Sequence, residues 1–358
     1  MRKRTTMFYV LSTVIFFFLI NPVFIQAMGS APEITTTATS LDCGGDTWVS
    51  NESNTPTIWS NEQFSVAVQT DVVYGKALTH PDWYAENGTE MDLLLDIYRP
   101  VNAPGNRPAI VLIHGGSFTK NDKQHPQIVK FAQYFAKRGF VAISIDYRLD
   151  GHRGTTPLQW DITGELLFLL PSVSDQMRAM YPAARDSKAA VRWLHAHADE
   201  LDVNTDFITA LGDSAGAQLS VMLGVTNEGD FQDEIWPYND WTLNTTHLGY
   251  SSKVDTVVEL WGSGLIVEIL DVLFLSNRWD NSDAPMLMVH GTLDTTVPYE
   301  EAMRLSSLYC SSGAPFKFHT LHGLPHGAWD ATVYGTPLTD ESFNFIKTAQ
   351  HLYVDPVH

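Results

Sequence analysis

The sequence predicts an α/β fold: a mostly parallel central sheet, helices on both faces, and two inserted segments roofing one edge. Three observations point there. Short apolar runs bounded by Gly or Pro alternate with segments of helical periodicity, the pattern of strand–helix–strand crossovers. The runs are continuously apolar rather than alternating, as in strands covered on both faces. Of the 358 residues, 44% are hydrophobic and 18% charged, which supplies a sizeable core.

The elements follow in order. Residues 64–75 and 91–100 are strand-like and have no helix between them, so the sheet should start antiparallel. "PAIVLIHGG" (108–116) is a buried strand, and 126–139 has helical spacing and stops at Gly139. A strand is expected at 140–149, then a first irregular inserted segment at 150–174 and an amphipathic helix at 184–201. Strand 206–214 and helix 215–225 come next, followed by a second, polar-aromatic insertion at 227–252. Strands at 254–262, 284–291 and 315–323, with helices at 298–311 and 339–352, complete the pattern. No linker divides 64–353, so residues 64–358 are read as one domain.

The first residues combine Arg2, Lys3 and Arg4 with an apolar stretch from Met7 to Ile20, a break at Pro22 and small residues near Gly29. Residues 1–29 are expected to be a secretory signal peptide, leaving no stable membrane anchor and an extracellular protein. The alternative is an uncleaved signal anchor, because Val23, Phe24 and Ile25 lengthen the apolar run. Residues 30–63, rich in Thr, Ser, Asn and Gly, read as an irregular extension. In that compartment Cys43 and Cys310 either pair or stay apart, and Asn51, Asn87 and Asn244 head N-glycosylation triplets. A formal net charge of −19 argues against nucleic acid as a partner.

The chemistry centres on "ITALGDSAGAQLSVMLG" (208–224), where a strand pattern passes into a helix through Gly212-Asp-Ser214-Ala-Gly216. A tight strand-to-helix turn lifts a serine hydroxyl above the sheet and tolerates no bulk beside it. A mere helix cap by Ser214 would not require both glycines. A serine nucleophile needs a base, and the base needs an orienting acid. Asp294, just past a buried strand, and His326, in the loop after the next, would both emerge at the carboxyl edge of the sheet. His322 is the competing base; His290 is read as a strand-end hydrogen-bonding residue and His114 as structural. Gly115 and Gly116, after the strand ending in "VLIHGG", are the expected oxyanion donors together with the N–H of Ala215. Phe118 and Trp261, at strand ends, are candidate substrate contacts. The aromatics of the insertions (Trp160, Phe168, Trp236, Tyr238, Trp241) either wall the pocket or pack the roof onto the sheet. No metal or organic cofactor is called for.

Together "IHGGSF", "IDYRL", "ARDSKAAVRWLHAHADEL", "GDSAG", "APMLMVHGTLDTTVPYEEAMRL" and "GLPHG" resemble the secreted carboxylesterase branch of the α/β-hydrolases, similar to feruloyl and acetyl esterases and to hormone-sensitive-lipase-like esterases. The resemblance spans roughly residues 91–350. It implies the α/β-hydrolase fold, a Ser214–Asp294–His326 triad, an acyl-enzyme route and a small-molecule or polymer-borne ester as substrate. Many relatives continue His-Gly-Gly-Gly, whereas this chain has Ser117. Two rival readings are a serine peptidase of the same fold and a noncatalytic binding protein on a hydrolase scaffold. The peptidases usually need a gating domain for which this chain lacks room.

Overall fold

The computed structural model describes residues 54–83, 85, 87–161, 171–236 and 238–356. After β1 (Thr57–Trp59) come β2 (Val66–Thr79), β3 (Thr89–Pro100), β4 (Arg107–Ile113), α1 (Pro126–Ala136), β5 (Val141–Ile145), α2 (Pro171–Ala196), a short α3 (Ala198–Leu201) and β6 (Val203–Asp213). Then follow α4 (Ala215–Val225), β7 (Thr256–Leu260), α5 (Leu265–Phe274), β8 (Met286–Gly291), α6 (Tyr299–Ser312), β9 (Phe316–Leu321), the two-residue strands β10 (Thr332–Val333) and β11 (Thr336–Pro337), α7 (Leu338–Ala349) and β12 (Tyr353–Asp355). Eight strands make one sheet in the order β2-β3-β5-β4-β6-β7-β8-β9. The β2–β3 and β3–β5 pairings are antiparallel, and all others in the sheet are parallel.

The parallel strands read as continuous apolar runs because both faces are covered. On β4, Ala109, Val111 and Ile113 enter one core cluster while Ile110 and Leu112 enter the other. This is the two-residue period of a strand dividing its side chains between two faces. β2 forms one edge of the sheet. Its register with β3 shifts between Gln69 and Val72 and again between Val73 and Gly75, and Asp71 there has φ 58°.

Four expectations need correction. The helix expected from residue 184 already includes Pro171–Ala196 and contains Pro182. Pro182 packs closely on Gly154, where a Cβ would lie 2.6 Å from the Pro182 Cβ. The extension to residue 63 is not wholly irregular, since β1 pairs in parallel with β12 and buries Ile58 completely. Helix α5 was not anticipated. The second insertion starts at the far end of α4, where the Ala284 N–H donates to Gly224 O at 2.9 Å. From there its polar contacts run to α2, β2 and β3 rather than to the carboxyl edge: Arg185 to Asp240, the Lys76 N–H to Thr245 Oγ1, and the Trp241 indole to Glu90.

The signal segment, Cys43, Asn51 and Phe168 lie outside the described residues. Cys310 is on α6 and exposed, as are Asn87 and Asn244. Among the described residues no helix is long and apolar enough to cross a membrane.

Candidate active site

Ser214 sits between the end of β6 and the start of α4 with φ 52° and ψ −116°, a conformation that costs an L-residue energy and is held by its surroundings. Its N–H donates to Leu260 O at 2.9 Å. The flanking glycines are dictated by backbone. A Cβ at Gly212 would lie 2.2 Å from Gly216 O, and one at Gly216 would lie 2.0 Å from Ile113 O at the end of β4. No side chain can turn away from a carbonyl that close.

Two further loops reach this turn. Asp294 follows β8 and is 6% exposed. Its Oδ1 accepts the N–H groups of Thr296 and Val297 at 2.8 and 2.9 Å. Its Oδ2 accepts His326 Nδ1 at 2.6 Å, and His326 Nε2 is 2.9 Å from Ser214 Oγ. Because Nδ1 donates to a carboxylate, Nε2 of the neutral ring is left to accept the serine proton. The Asp294 and His326 loops are clamped together: Leu293 N–H donates to Leu324 O at 3.0 Å, Thr292 N–H to Leu321 O at 3.1 Å, and Gly323 N–H to Thr292 Oγ1 at 2.9 Å. Gly291 is required here, since its Cβ would meet Leu324 O at 2.3 Å.

The structure thus brings Ser214, His326 and Asp294 into one hydrogen-bonded chain, and His322 takes no place in it. His290, as read from the sequence, is a strand-end hydrogen-bonding residue. Its Nε2 donates to Val297 O at 2.8 Å and lies 3.2 Å from Asp294 Oδ2. Burial lowers its pKa, favouring the neutral ring. His114 is structural: Nδ1 donates to Gly115 O at 2.7 Å, the ring stacks on Tyr147 at 4.4 Å, and burial pushes its pKa down to about 4.

One expected donor is corrected. The Gly115 N–H is already committed, donating to Asp213 Oδ1 at 2.8 Å. A Cβ at 115 would meet the other carboxylate oxygen at 2.4 Å, so glycine is needed to admit Asp213, not a substrate. Burial pushes the Asp213 carboxyl up to about 7. The next peptides are free of such claims. Gly116 (φ 128°), Ser117 (φ 57°) and Phe118 (φ 60°) all have positive φ, and a Cβ at 116 would meet Lys120 O at 2.2 Å. Among the described residues the N–H groups of Gly116, Ser117 and Ala215 have no hydrogen-bond acceptor. Successive N–H groups in such a turn, facing a helix N-terminus, make an anion-binding concavity.

Trp261 is 1% exposed, stands edge-on to His326 with ring centroids 6.4 Å apart, and meets Trp329 at 4.9 Å and 90°. Trp329, three residues past His326, was not singled out from the sequence; "GLPHGAW" offers only its proximity to the histidine as a signal. Phe118 turns into the core against Tyr147, and Trp160 is buried against Tyr181 and Phe231. Glu259, also unanticipated, is fully buried at the end of β7, accepts the Gly262 N–H, and is pushed up to about 8 by burial.

A family model named BD-FAE matches residues 95–175 and 174–273, together half of the chain. The chain belongs to the BD-FAE family. Among curated relatives, this BD-FAE member is 30% identical to the esterase LipQ of Mycobacterium tuberculosis over 284 residues, 74% of this chain and 60% of that protein. It is 24% identical to the esterase LipC of the same organism over 270 residues, 67% of this chain and 58% of that protein. The BD-FAE chain therefore spans about three fifths of the length of these relatives. Among solved structures it superposes on a truncated carbohydrate esterase from gut microbiota with a TM-score of 0.55, at 21% identity and covering 82% of this chain and 99% of that one. Thermogutta terrifontis esterase 2 gives a TM-score of 0.53 at 23% identity, covering 79% and 92%. These likenesses, with the sheet order described above, establish the α/β-hydrolase fold.

Proposed function

We propose that the protein is a secreted serine carboxylesterase that works through an acyl-enzyme on Ser214. The observation that carries this reading is the Asp294–His326–Ser214 hydrogen-bond chain at a strained strand-to-helix turn. His326 takes the hydroxyl proton as Ser214 attacks the ester carbonyl, and Asp294 holds the imidazole in the right tautomer and steadies its positive charge. The tetrahedral oxyanion is received by the N–H groups of Gly116 and Ala215, with Ser117 taking the place expected of Gly115. His326 then returns the proton to the leaving alcohol, and water, activated by the same imidazole, releases the acid. The esterase names of the relatives support the ester over the amide as substrate.

The test is turnover of p-nitrophenyl acetate and butyrate. Ser214→Ala should lower kcat by about 10⁴-fold or more, and a fluorophosphonate probe should label the parent but not the variant. Retained turnover in Ser214→Ala would overturn the assignment, and cleavage of a peptide amide at comparable rates would favour the peptidase. Secretion is proposed from residues 1–29 alone. The first residue of protein recovered from the medium should lie close to Ser30, and recovery only in membranes with Met1 intact would favour the anchor.

A further inference from the structure

The 227–252 insertion has features that the ester chemistry does not use. It starts beyond the C-terminal end of α4, whose eleven residues put about 16 Å between that end and Ser214. Here Arg192, Glu228, Gln232, Asp233, Tyr250 and Ser251 help to surround an open cavity of about 330 Å³, within the size range of small-ligand sites. Its walls are polar, which disfavours an acyl chain.

The charged groups narrow the ligand. Arg192 is 2% exposed, and Thr246 holds its Nε at 2.8 Å and its Nη2 at 3.3 Å. Among the described residues Nη1 makes no hydrogen bond, and Arg192 lines the cavity. The Glu228 oxygens are taken by Ser251 and Ser252. Asp233 and Gln232 make no side-chain hydrogen bond among the described residues, leaving acceptors and donors on offer. One guanidinium against two carboxylates leaves the site net negative, on a chain of net charge −19, so an anion is disfavoured. No group of three side chains suited to a metal ion occurs among the described residues. What remains is a neutral ligand rich in hydroxyls, which both donate and accept.

A second observation agrees. Trp236 and Tyr238 follow on the same segment, 68% and 78% exposed, with nearly parallel rings (23°) whose centroids are 6.3 Å apart. The rings are stacked with an offset, and most of each side chain stays open to solvent. Trp236 is three positions after Asp233, which keeps their Cα atoms within about 11 Å. Paired exposed aromatics beside hydrogen-bonding groups suit a ligand with an apolar face and a polar rim. A pyranose has both, through its axial C–H groups and its equatorial hydroxyls.

We infer that the 227–252 insertion carries a second, noncatalytic site that binds a neutral oligosaccharide, one sugar in the Arg192–Asp233 cavity and its neighbours on Trp236 and Tyr238. The site does not depend on Ser214 being the nucleophile. If the ester substrate is polymer-borne, holding the polymer here raises the local concentration of esters at the triad.

The test is calorimetric titration of the full chain with unesterified hexasaccharides from xylan, glucan and mannan, and with a hexagalacturonate. At least one neutral hexasaccharide should bind with a millimolar or tighter Kd, and the hexagalacturonate should not bind. Trp236→Ala/Tyr238→Ala and, separately, Asp233→Ala should weaken binding by about ten-fold or more, with p-nitrophenyl acetate turnover within about two-fold of the parent. That turnover, measured in parallel, reports on the catalytic assignment independently. No binding of any neutral hexasaccharide, equal binding by the variants, equal binding of the galacturonate, or competitive inhibition of acetate hydrolysis by the sugar would each overturn the proposal.

Discussion

The two ends of helix α4 differ in how tightly their surroundings are determined. At the N-terminal end, backbone carbonyls stand 2.0 and 2.2 Å from the positions where Cβ atoms at Gly216 and Gly212 would be, and both oxygens of Asp294 are occupied. At the C-terminal end there is an open cavity, with Trp236 and Tyr238 largely in solvent. A group that must meet a reacting atom is fixed by several neighbours at once, whereas a surface that holds a ligand through faces and hydroxyls can remain open.

The largest test of that contrast is Gly216→Ala. The new methyl group would collide with Ile113 O, and no rotamer relieves it. Soluble folded protein, or ester turnover per folded molecule, should fall by about 100-fold or more, read by gel filtration and p-nitrophenyl acetate. A near-normal enzyme would show that the turn is looser than the structure describes.

A smaller effect is expected from His290→Leu. The change removes the donor shared by Val297 O and Asp294 Oδ2 and leaves Asp294 held by its other partners. We expect kcat to fall about ten-fold with KM unchanged. An unaltered kcat would mean that the Thr296 and Val297 amides orient Asp294 unaided.

The smallest concerns pH. The folded Asp213 carboxyl holds its proton up to about 7, whereas an unfolded one releases it near about 4. Between those values the unfolded state binds fewer protons, so this group's contribution is full below about 4 and is lost as pH rises towards 7. Asp213→Asn keeps an oxygen for the Gly115 N–H and cannot ionise. Its melting temperature relative to the parent should therefore be higher at pH 8 than at pH 4.5. A pH-independent difference would show that Asp213 titrates normally.

Much of the catalytic end was legible because its constraints are local. Gly212-x-Ser214-x-Gly216 between a strand and a helix specifies its own backbone, and residues just past buried strands can emerge only at the carboxyl edge. The misplaced oxyanion donor shows where this stops. "HGGS" announces exposed peptide N–H groups, but which of them is free depends on the Asp213 carboxylate, 98 positions away from Gly115. Pro182 reads as a helix breaker, yet α2 runs through it. In α5 the run "LIVEILDVLF" does carry a helical period, with Ile266, Val267, Ile269 and Leu270 buried and Glu268 and Asp271 three apart, but its ten residues are so apolar overall that the pattern is easily passed over. β1 and β12 are three residues each and find one another across nearly the whole domain, which no local pattern could signal. The 227–252 insertion was legible only as polar and aromatic, because a cavity exists through the relative placement of three separate stretches of chain.

The irregular edge strand has a consequence for how the molecule keeps to itself. At Asp71 the β2 backbone turns back, its N–H donating to Asp96 Oδ1 at 2.9 Å while its carboxylate reaches Lys123 Nζ at 2.9 Å. A donor that would otherwise face outward is thereby withdrawn from the rim, and the straight run of unpaired peptides is cut in two. A neighbouring copy arriving at this edge finds a charged kink in place of a template, which works against edge-to-edge pairing through β2.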